Sequence, residues 1–255
     1  MASLSQRKMR RKHGLFIIEG RKSVEDILFS YPGRFHIEYI AATPEWLSEC
    51  GVRAIAMVKA GEEAIYEASA ADLRGVSSLS TPPDVMAVCA LPEQTIEDDI
   101  ALSADELYLM LDGVQDPGNL GTIVRTAHWF GIKRIFASRT TADIYNPKAI
   151  QSSMGSLAAV RVSYVDLPAI VRANPDIPVA GLQLEGRDIF RSVLPKGAFI
   201  VMGNEGNGLS AEMRSLITLP LTIPPYDASE HAESLNVAIA TGITLAEFRK
   251  SVRKM

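Results

Sequence analysis

LYLMLDGVQDPGNLGTIVRTAHWFG, residues 107–131, reads as one strand, one turn and one helix in succession. The run Leu107–Val114 is almost continuously apolar, the pattern of a strand buried on both faces. Pro117 and Gly118 turn the chain, and Asn119 is of the residue type that caps a helix. Ile123, Ala127 and Phe130 then recur at helical spacing within a helix expected over 120–130. That helix packs one face and carries Asn119 and, six residues on, Arg125 as polar groups. Taken alone, Asn119 would be a cap and Arg125 a surface or salt-bridging arginine.

The same alternation continues to the C-terminus. Further strands are expected at 134–137, 160–164, 179–184, 199–202 and 221–223, with helices at 147–157, 167–173, 211–217 and 234–252 between and after them. Apolar strands separated by helices indicate a parallel sheet covered on both faces, an α/β fold. Ligands bind such sheets beyond the carboxyl ends of the strands, which singles out the loops after Val114, Met202 and Ile223.

Two of those loops carry their own polar constellations. In VMGNEGNGLS (201–210) a buried strand meets a loop with glycines at 203, 206 and 208, where the backbone can approach a ligand and Glu205 supplies a carboxylate. The spacing is neither that of a dinucleotide fingerprint nor that of a P-loop, since no Gly-Lys-Ser/Thr follows. In IPPYDASEHAESLNVAIATGITLAEF (223–248) Pro224 and Pro225 turn the chain away from a strand, and a long helix starts at Ser234 or a neighbour. Ser234 and Asn236 thus fall at a helix N-terminus with unsatisfied amides. The lone histidines His128 and His231 read as packing or surface residues rather than as bases.

Ahead of this half, LFIIEG (15–20) reads as a buried strand followed by a helical stretch with Val24, Ile27 and Leu28. Strand-like runs follow at 37–41, 52–58 and 85–90, giving a small α/β domain over 15–91. Glu93, Glu97, Asp98, Asp99 and Asp105 mark an acidic linker over 92–106, and the sheet domain occupies 107–255. Residues 1–14 form a basic arm. The first 22 residues hold seven Lys or Arg against one Glu, a local +6, so a chain of net charge -4 leaves -10 to the remainder. A cationic arm on an acidic body can track phosphates through Arg7, Lys8, Arg10, Arg11, Lys12 and Arg21.

The composition, 47% hydrophobic and 22% charged, suits a globular protein and excludes a disordered or fibrous one. No apolar run approaches the roughly 20 residues of a membrane span, and the N-terminus has no apolar signal region, so a cytoplasmic location is expected without membrane association. Cys50 and Cys89 stand apart from each other and from any His/Cys cluster. They are expected as buried thiols, and no metal site is expected.

The three blocks at 116–131, 201–210 and 223–248 together resemble the SpoU-type RNA 2′-O-ribose methyltransferases of the SPOUT superfamily. The resemblance spans Leu107 to the C-terminus, and LFIIEGRKSVEDIL (15–28) is similar to the start of the small RNA-substrate-binding domain that many members carry. It implies a deep trefoil knot in the sheet domain, which periodicity could not have revealed. It implies S-adenosylmethionine as cofactor, and Asn119, Arg125, Glu205, Ser234 and Asn236 as the polar catalytic set. Met202, Gly203, Ile223 and Leu235 match the cofactor-contacting positions, while the stretch Tyr226–Glu233 is longer than in many members. It further implies a homodimer through the knotted domain. The added domain and basic arm favour ribosomal RNA as substrate, since a long structured target needs a second contact surface. A transfer RNA substrate and a catalytically silent RNA-binding homologue are the competing readings.

Overall fold

The computed structural model describes residues 1–58, 61–92, 102–227, 229, 230 and 232–250. Most of the acidic linker, His231 and the end of the last helix beyond Lys250 lie outside the described residues. In chain order the elements are α1 (Arg7–His13), β1 (Leu15–Glu19), α2 (Arg21–Glu25), β2 (Ile37–Ala42), α3 (Pro44–Ile55), β3 (Ile65–Glu67), α4 (Ala70–Val76) and β4 (Val85–Ala90). There follow β5 (Leu107–Asp112), α5 (Pro117–Trp129), β6 (Arg134–Ala137), α6 (Pro147–Ser153), β7 (Arg161–Tyr164) and α7 (Leu167–Ala173). Last come β8 (Val179–Asp188), β9 (Ala198–Gly203), α8 (Ala211–Ser215), β10 (Leu219–Thr222) and α9 (Val237–Lys250). The chain divides into two compact units, one of residues 1–93 with 143–159 and one of residues 94–142 with 160–255.

The first unit is built on a four-stranded sheet of order β1-β4-β2-β3. β4 runs antiparallel to both its neighbours and β2 parallel to β3. Phe16, Ile18, Val24, Ile40, Trp46 and Val88 are buried in it. The strand expected over 52–58 is a correction: Val52 to Ile55 are the last turn of α3. Thr43 caps that helix by accepting from the Trp46 amide, Pro44 sits at its first position, and Trp46, Cys50 and Ala54 bury one face at helical spacing. Val52, 85% exposed, points the other way, which a buried strand would not allow. The short β3, absent from the sequence reading, takes the edge of the sheet instead. Cys50 and Cys89 are free and buried, and burial pushes both thiols up.

The basic arm is a folded element. Residues 7–13 form α1, closed by Gly14 at φ 67° in the left-handed region. Segment 143–159 belongs to this unit although it lies in sequence between β6 and β7. Its Gly155 has φ 82°, in the left-handed region that favours glycine, and a Cβ there would lie 2.2 Å from an Asp26 carboxylate oxygen and displace that side chain.

The second unit carries a six-stranded, all-parallel sheet of order β10-β8-β9-β5-β6-β7. Tyr108, Met110, Phe136, Phe199 and Val201 pack with Leu167, Val171 and Met213 of α7 and α8. The alternate residues Leu109 and Leu111 are fully buried too, so β5 is covered on both faces as its sequence implied. The register between β8 and β10 jumps from Pro220 opposite Gly181 to Leu221 opposite Arg187. A Cβ on Gly186 would lie 2.6 Å from the Leu221 carbonyl carbon, so the two strands close up where only glycine fits. Among the described residues no helix is long and apolar enough to cross a membrane.

Candidate active site

Three loops of the second unit leave the carboxyl ends of β5, β9 and β10, and side-chain hydrogen bonds tie them together. After β5, Asp116 rather than Asn119 caps α5: its Oδ1 accepts from the Asn119 amide at 2.8 Å, and Pro117 takes the first helical position. The expectation that Asn119 caps the helix is corrected, because the helix starts three residues earlier, at Pro117. Released from capping, the Asn119 side chain donates from Nδ2 to Glu205 Oε1 at 3.1 Å and accepts at Oδ1 from Asn236 Nδ2 at 2.9 Å.

Glu205 is the hub of this arrangement. Beyond Asn119, its carboxylate accepts from the backbone N–H of Gln115 at 3.1 Å and of Asp116 at 3.2 Å. Burial pushes the Glu205 carboxyl up, but these donations outweigh it and hold it below its ordinary value. It is therefore charged at neutral pH. The glycine loop that presents it is itself pinned by Asn204, whose Nδ2 donates to the Gly113 carbonyl at 2.8 Å and whose Oδ1 accepts from the amides of Gly206 and Asn207. Asn204 and Gly208 exchange two backbone bonds across the loop. A Cβ on Gly203 would lie 2.4 Å from the Gly208 carbonyl carbon, so the chain doubles back there as tightly as backbone permits. Asp112 at the end of β5 accepts from the Ser210 amide at 2.7 Å.

Asn236 closes the third loop. Its Oδ1 accepts from the amides of Ala238 at 2.9 Å and Ile239 at 3.3 Å, which makes Asn236 the cap of α9. Glu205, Asn119 and Asn236 thus form one hydrogen-bonded chain across three loops. Ser234 lies two residues before the cap, exposed and outside that chain. Arg125 is exposed on α5. Six residues of helix set it about 9 Å along the axis from Asn119 and about 120° round it. Among the described residues it makes no ion pair with Glu205. Of the positions matched to cofactor contacts, Met202 is buried and offers only its backbone, Gly203 and Ile223 are half-buried, and Leu235 is 49% exposed.

The six cations expected to face phosphate separate into two groups. Arg7, Lys8, Arg11 and Lys12 are exposed on α1. Arg10 and Arg21 instead pair with carboxylates of the protein. Arg10, 2% exposed, is bonded to Asp143. Arg21 lies between Glu49 and Asp84, 2.5 and 2.8 Å away, and those bonds raise its pKa further. Asp116, Asn204 and Asp112 escaped the sequence reading, although an Asn directly after a buried strand is a turn-forming signal that could have flagged Asn204.

Comparison with known proteins agrees with this layout. Residues 106–246 match the SpoU rRNA Methylase family and residues 1–87 the MRM3-like substrate binding domain. The chain is 32% identical over 257 residues to the 23S rRNA (guanosine(2553)-2′-O)-methyltransferase RlmP of Bacillus subtilis, covering 96% of this chain and 93% of that protein. The AdoMet-bound rRNA methyltransferase from Sinorhizobium meliloti superposes with a TM-score of 0.85 at 27% identity, over 99% of this chain and 94% of that one. The SpoU methyltransferase AviRb from Streptomyces viridochromogenes, in complex with AdoMet, gives 0.81 at 25% identity over 100% and 97%. With its hydrogen-bonded loops falling inside the matched segment and its relatives matched nearly end to end, the chain belongs to the SpoU rRNA methylase family and carries an MRM3-like substrate-binding domain.

Proposed function

We propose that this protein transfers the methyl group of S-adenosylmethionine to a ribose 2′-hydroxyl of ribosomal RNA. The observation that carries the proposal is the chain Glu205–Asn119–Asn236, which draws the loops after β5, β9 and β10 into one polar site at the strand ends. Its relatives named as acting on 23S rRNA at a 2′ oxygen point to the same chemistry. A ribosomal substrate accords with the cytoplasmic location expected from the sequence.

The residues around the loops suit the cofactor. Segments 202–210 and 219–239 contain Glu205, Asp227, Glu230 and Glu233 and neither lysine nor arginine, an acidic balance that favours a sulfonium, while the Arg214 guanidinium nearby donates to the Leu209 carbonyl. Half-exposed Leu235 and Ile223 offer apolar surface, and the backbone at Met202 and Gly203 offers polar groups. The bound cofactor would supply an already activated methyl group. What the chain must add is alignment of the ribose oxygen, which can lower a barrier by roughly 7–11 kcal/mol. Asn119, fixed by Glu205 on one side and Asn236 on the other, holds the ribose in that alignment together with Ser234. Arg125 stabilises the developing oxyanion, because a guanidinium at neutral pH donates hydrogen bonds and does not accept a proton.

Arg125 and Asn119 face different ways on α5, so one chain does not by itself bring them to one substrate. We infer a homodimer in which a second copy completes the site, with the family's knot in each subunit. The exposed apolar residues Leu235 and Ile239 around the start of α9 and Trp129 on α5, 49, 56 and 85% exposed, supply surface for that contact. Light scattering should return about twice 27.7 kDa; the monomer mass would contradict it.

The test of the function is transfer of labelled methyl from S-adenosylmethionine to unmodified ribosomal RNA and, separately, to transfer RNA. Label in ribosomal RNA is expected. Label in transfer RNA alone would move the substrate, and cofactor binding without labelling of either would leave an RNA-binding protein.

A further inference from the structure

The cationic helix α1 should not stand by itself. It has seven residues, too few for independent stability. Arg7 with Arg11 and Lys8 with Lys12 are like charges four residues apart, and the helix contains no acid to offset them. Among the described residues none of these four makes an ion pair. All four point outward within an arc of about 140°, while the fifth cation, Arg10, points the other way.

Arg10 anchors the helix from beneath. Its Nη1 donates to the carbonyls of Leu4 at 3.0 Å and Ser5 at 2.8 Å, and its Nη2 to Asp143 Oδ2 at 2.6 Å. Its Nε is buried and has no hydrogen-bond partner, so Asp143 carries the main compensation of the charge. Asp143 is itself fixed, its Oδ1 accepting from the Tyr145 amide at 3.0 Å. The Tyr145 ring lies against Phe16 of β1, centroids 4.6 Å apart. Asp143 opens segment 143–159, the excursion that leaves the methyltransferase sheet after β6 and joins the N-terminal unit.

We propose that Asp143 is a positioning residue for substrate RNA: through Arg10 it holds α1 as a fixed four-cation face on which the RNA phosphate backbone docks. The proposal rests on the RNA-substrate reading above. Each row, Arg7–Arg11 and Lys8–Lys12, advances about 6 Å along the helix, a step comparable to that between successive phosphates on one strand. A helix already fixed avoids the ordering cost that a flexible basic tail incurs on binding. Loss of Asp143 should therefore weaken RNA binding although Asp143 touches no RNA.

The experiment measures filter binding of unmodified ribosomal RNA to the full-length protein across a salt series, with cofactor affinity and methyl-transfer KM and kcat alongside. For Asp143→Asn, Kd and KM for RNA should rise about tenfold, with kcat at saturating RNA and cofactor affinity within twofold. Asp143→Glu should recover most of the loss. A variant with Arg7, Lys8, Arg11 and Lys12 all changed to Gln should bind more weakly still and flatten the salt slope by about three, near 0.7–0.9 per lost phosphate contact. Adding Asp143→Asn to that variant should weaken binding no further, because both changes remove the same contact.

Wild-type affinity and salt slope in the fourfold variant would overturn the proposal, and so would an Asp143→Asn effect of equal size with and without the four cations. If Asp143→Asn fails to fold, the fourfold variant, altered only at the surface, still decides whether α1 docks RNA, and Asp143→Glu decides the role of the carboxylate. Because binding is read without turnover, a wild-type protein that binds through α1 but labels no RNA would sink the transferase reading and leave this one standing.

Discussion

Replacing Arg125 with lysine lowers the rate of methyl transfer by about 10²–10³-fold, the loss seen when one preorganised oxyanion donor is removed. Lysine keeps the charge but not the planar fork of donors, so a large loss separates geometry from mere electrostatic attraction. The position suits the test. Arg125 is exposed on α5, and an exposed helical Arg-to-Lys change costs little stability. Whatever falls is therefore chemistry or substrate contact. Single-turnover methyl transfer at saturating cofactor reads it directly, and near-normal turnover would remove Arg125 from the reaction.

Glu205→Gln lowers kcat by about tenfold to hundredfold, corresponding to one or two charge-assisted hydrogen bonds of roughly 1.5–3 kcal/mol, taken at the low end on an exposed loop. The carboxylate accepts from Asn119, Asp116 and Gln115. A glutamine amide must turn its NH₂ towards at least one of those donors, which breaks one bond and sets donor against donor. Asn119 then loses its fixed orientation, and with it the alignment of the ribose. The wild-type pH profile carries a matching signature. With its native pKa held below the ordinary value, Glu205 contributes stability above the ordinary carboxylate range and loses it only as pH falls through the lower native value. The wild-type rate should therefore show no acid limb from this group between about pH 5 and 8. An unchanged rate for Glu205→Gln would show that the three loops hold together without it.

How far these features could be read in advance depended on whether they are local. β5, β6, β4 and α7 follow from apolar runs flanked by turn residues, because burial on both faces leaves a continuous signal. α3 was hidden because Val52, Ala54, Met57 and Val58 imitate a strand, while the residues that make it a helix, Trp46, Cys50 and Ala54, declare themselves only through burial. The polar residues of the site stood in plain view in three motifs. Which of them cap and which are free to bond across loops did not, since Asp116 and Asn119 are both good caps and helix starts are uncertain by a residue or two. The ion pairs of Arg10 and Arg21 show the same limit. Sequence counts charge, but the partner of Arg10 lies 133 residues away, and those of Arg21, Asp84 and Glu49, lie 63 and 28 residues away. That segment 143–159 would join the N-terminal unit was illegible for the same reason.

The central claim is that the methyl group arrives on a ribose oxygen. A free 2′-hydroxyl is what lets alkali cleave the adjacent phosphodiester, so methylation there protects one linkage. Ribosomal RNA labelled by the purified protein should, after complete alkaline hydrolysis, yield its label in dinucleotides. Label recovered in mononucleotides would mean methylation of a base and would contradict the account.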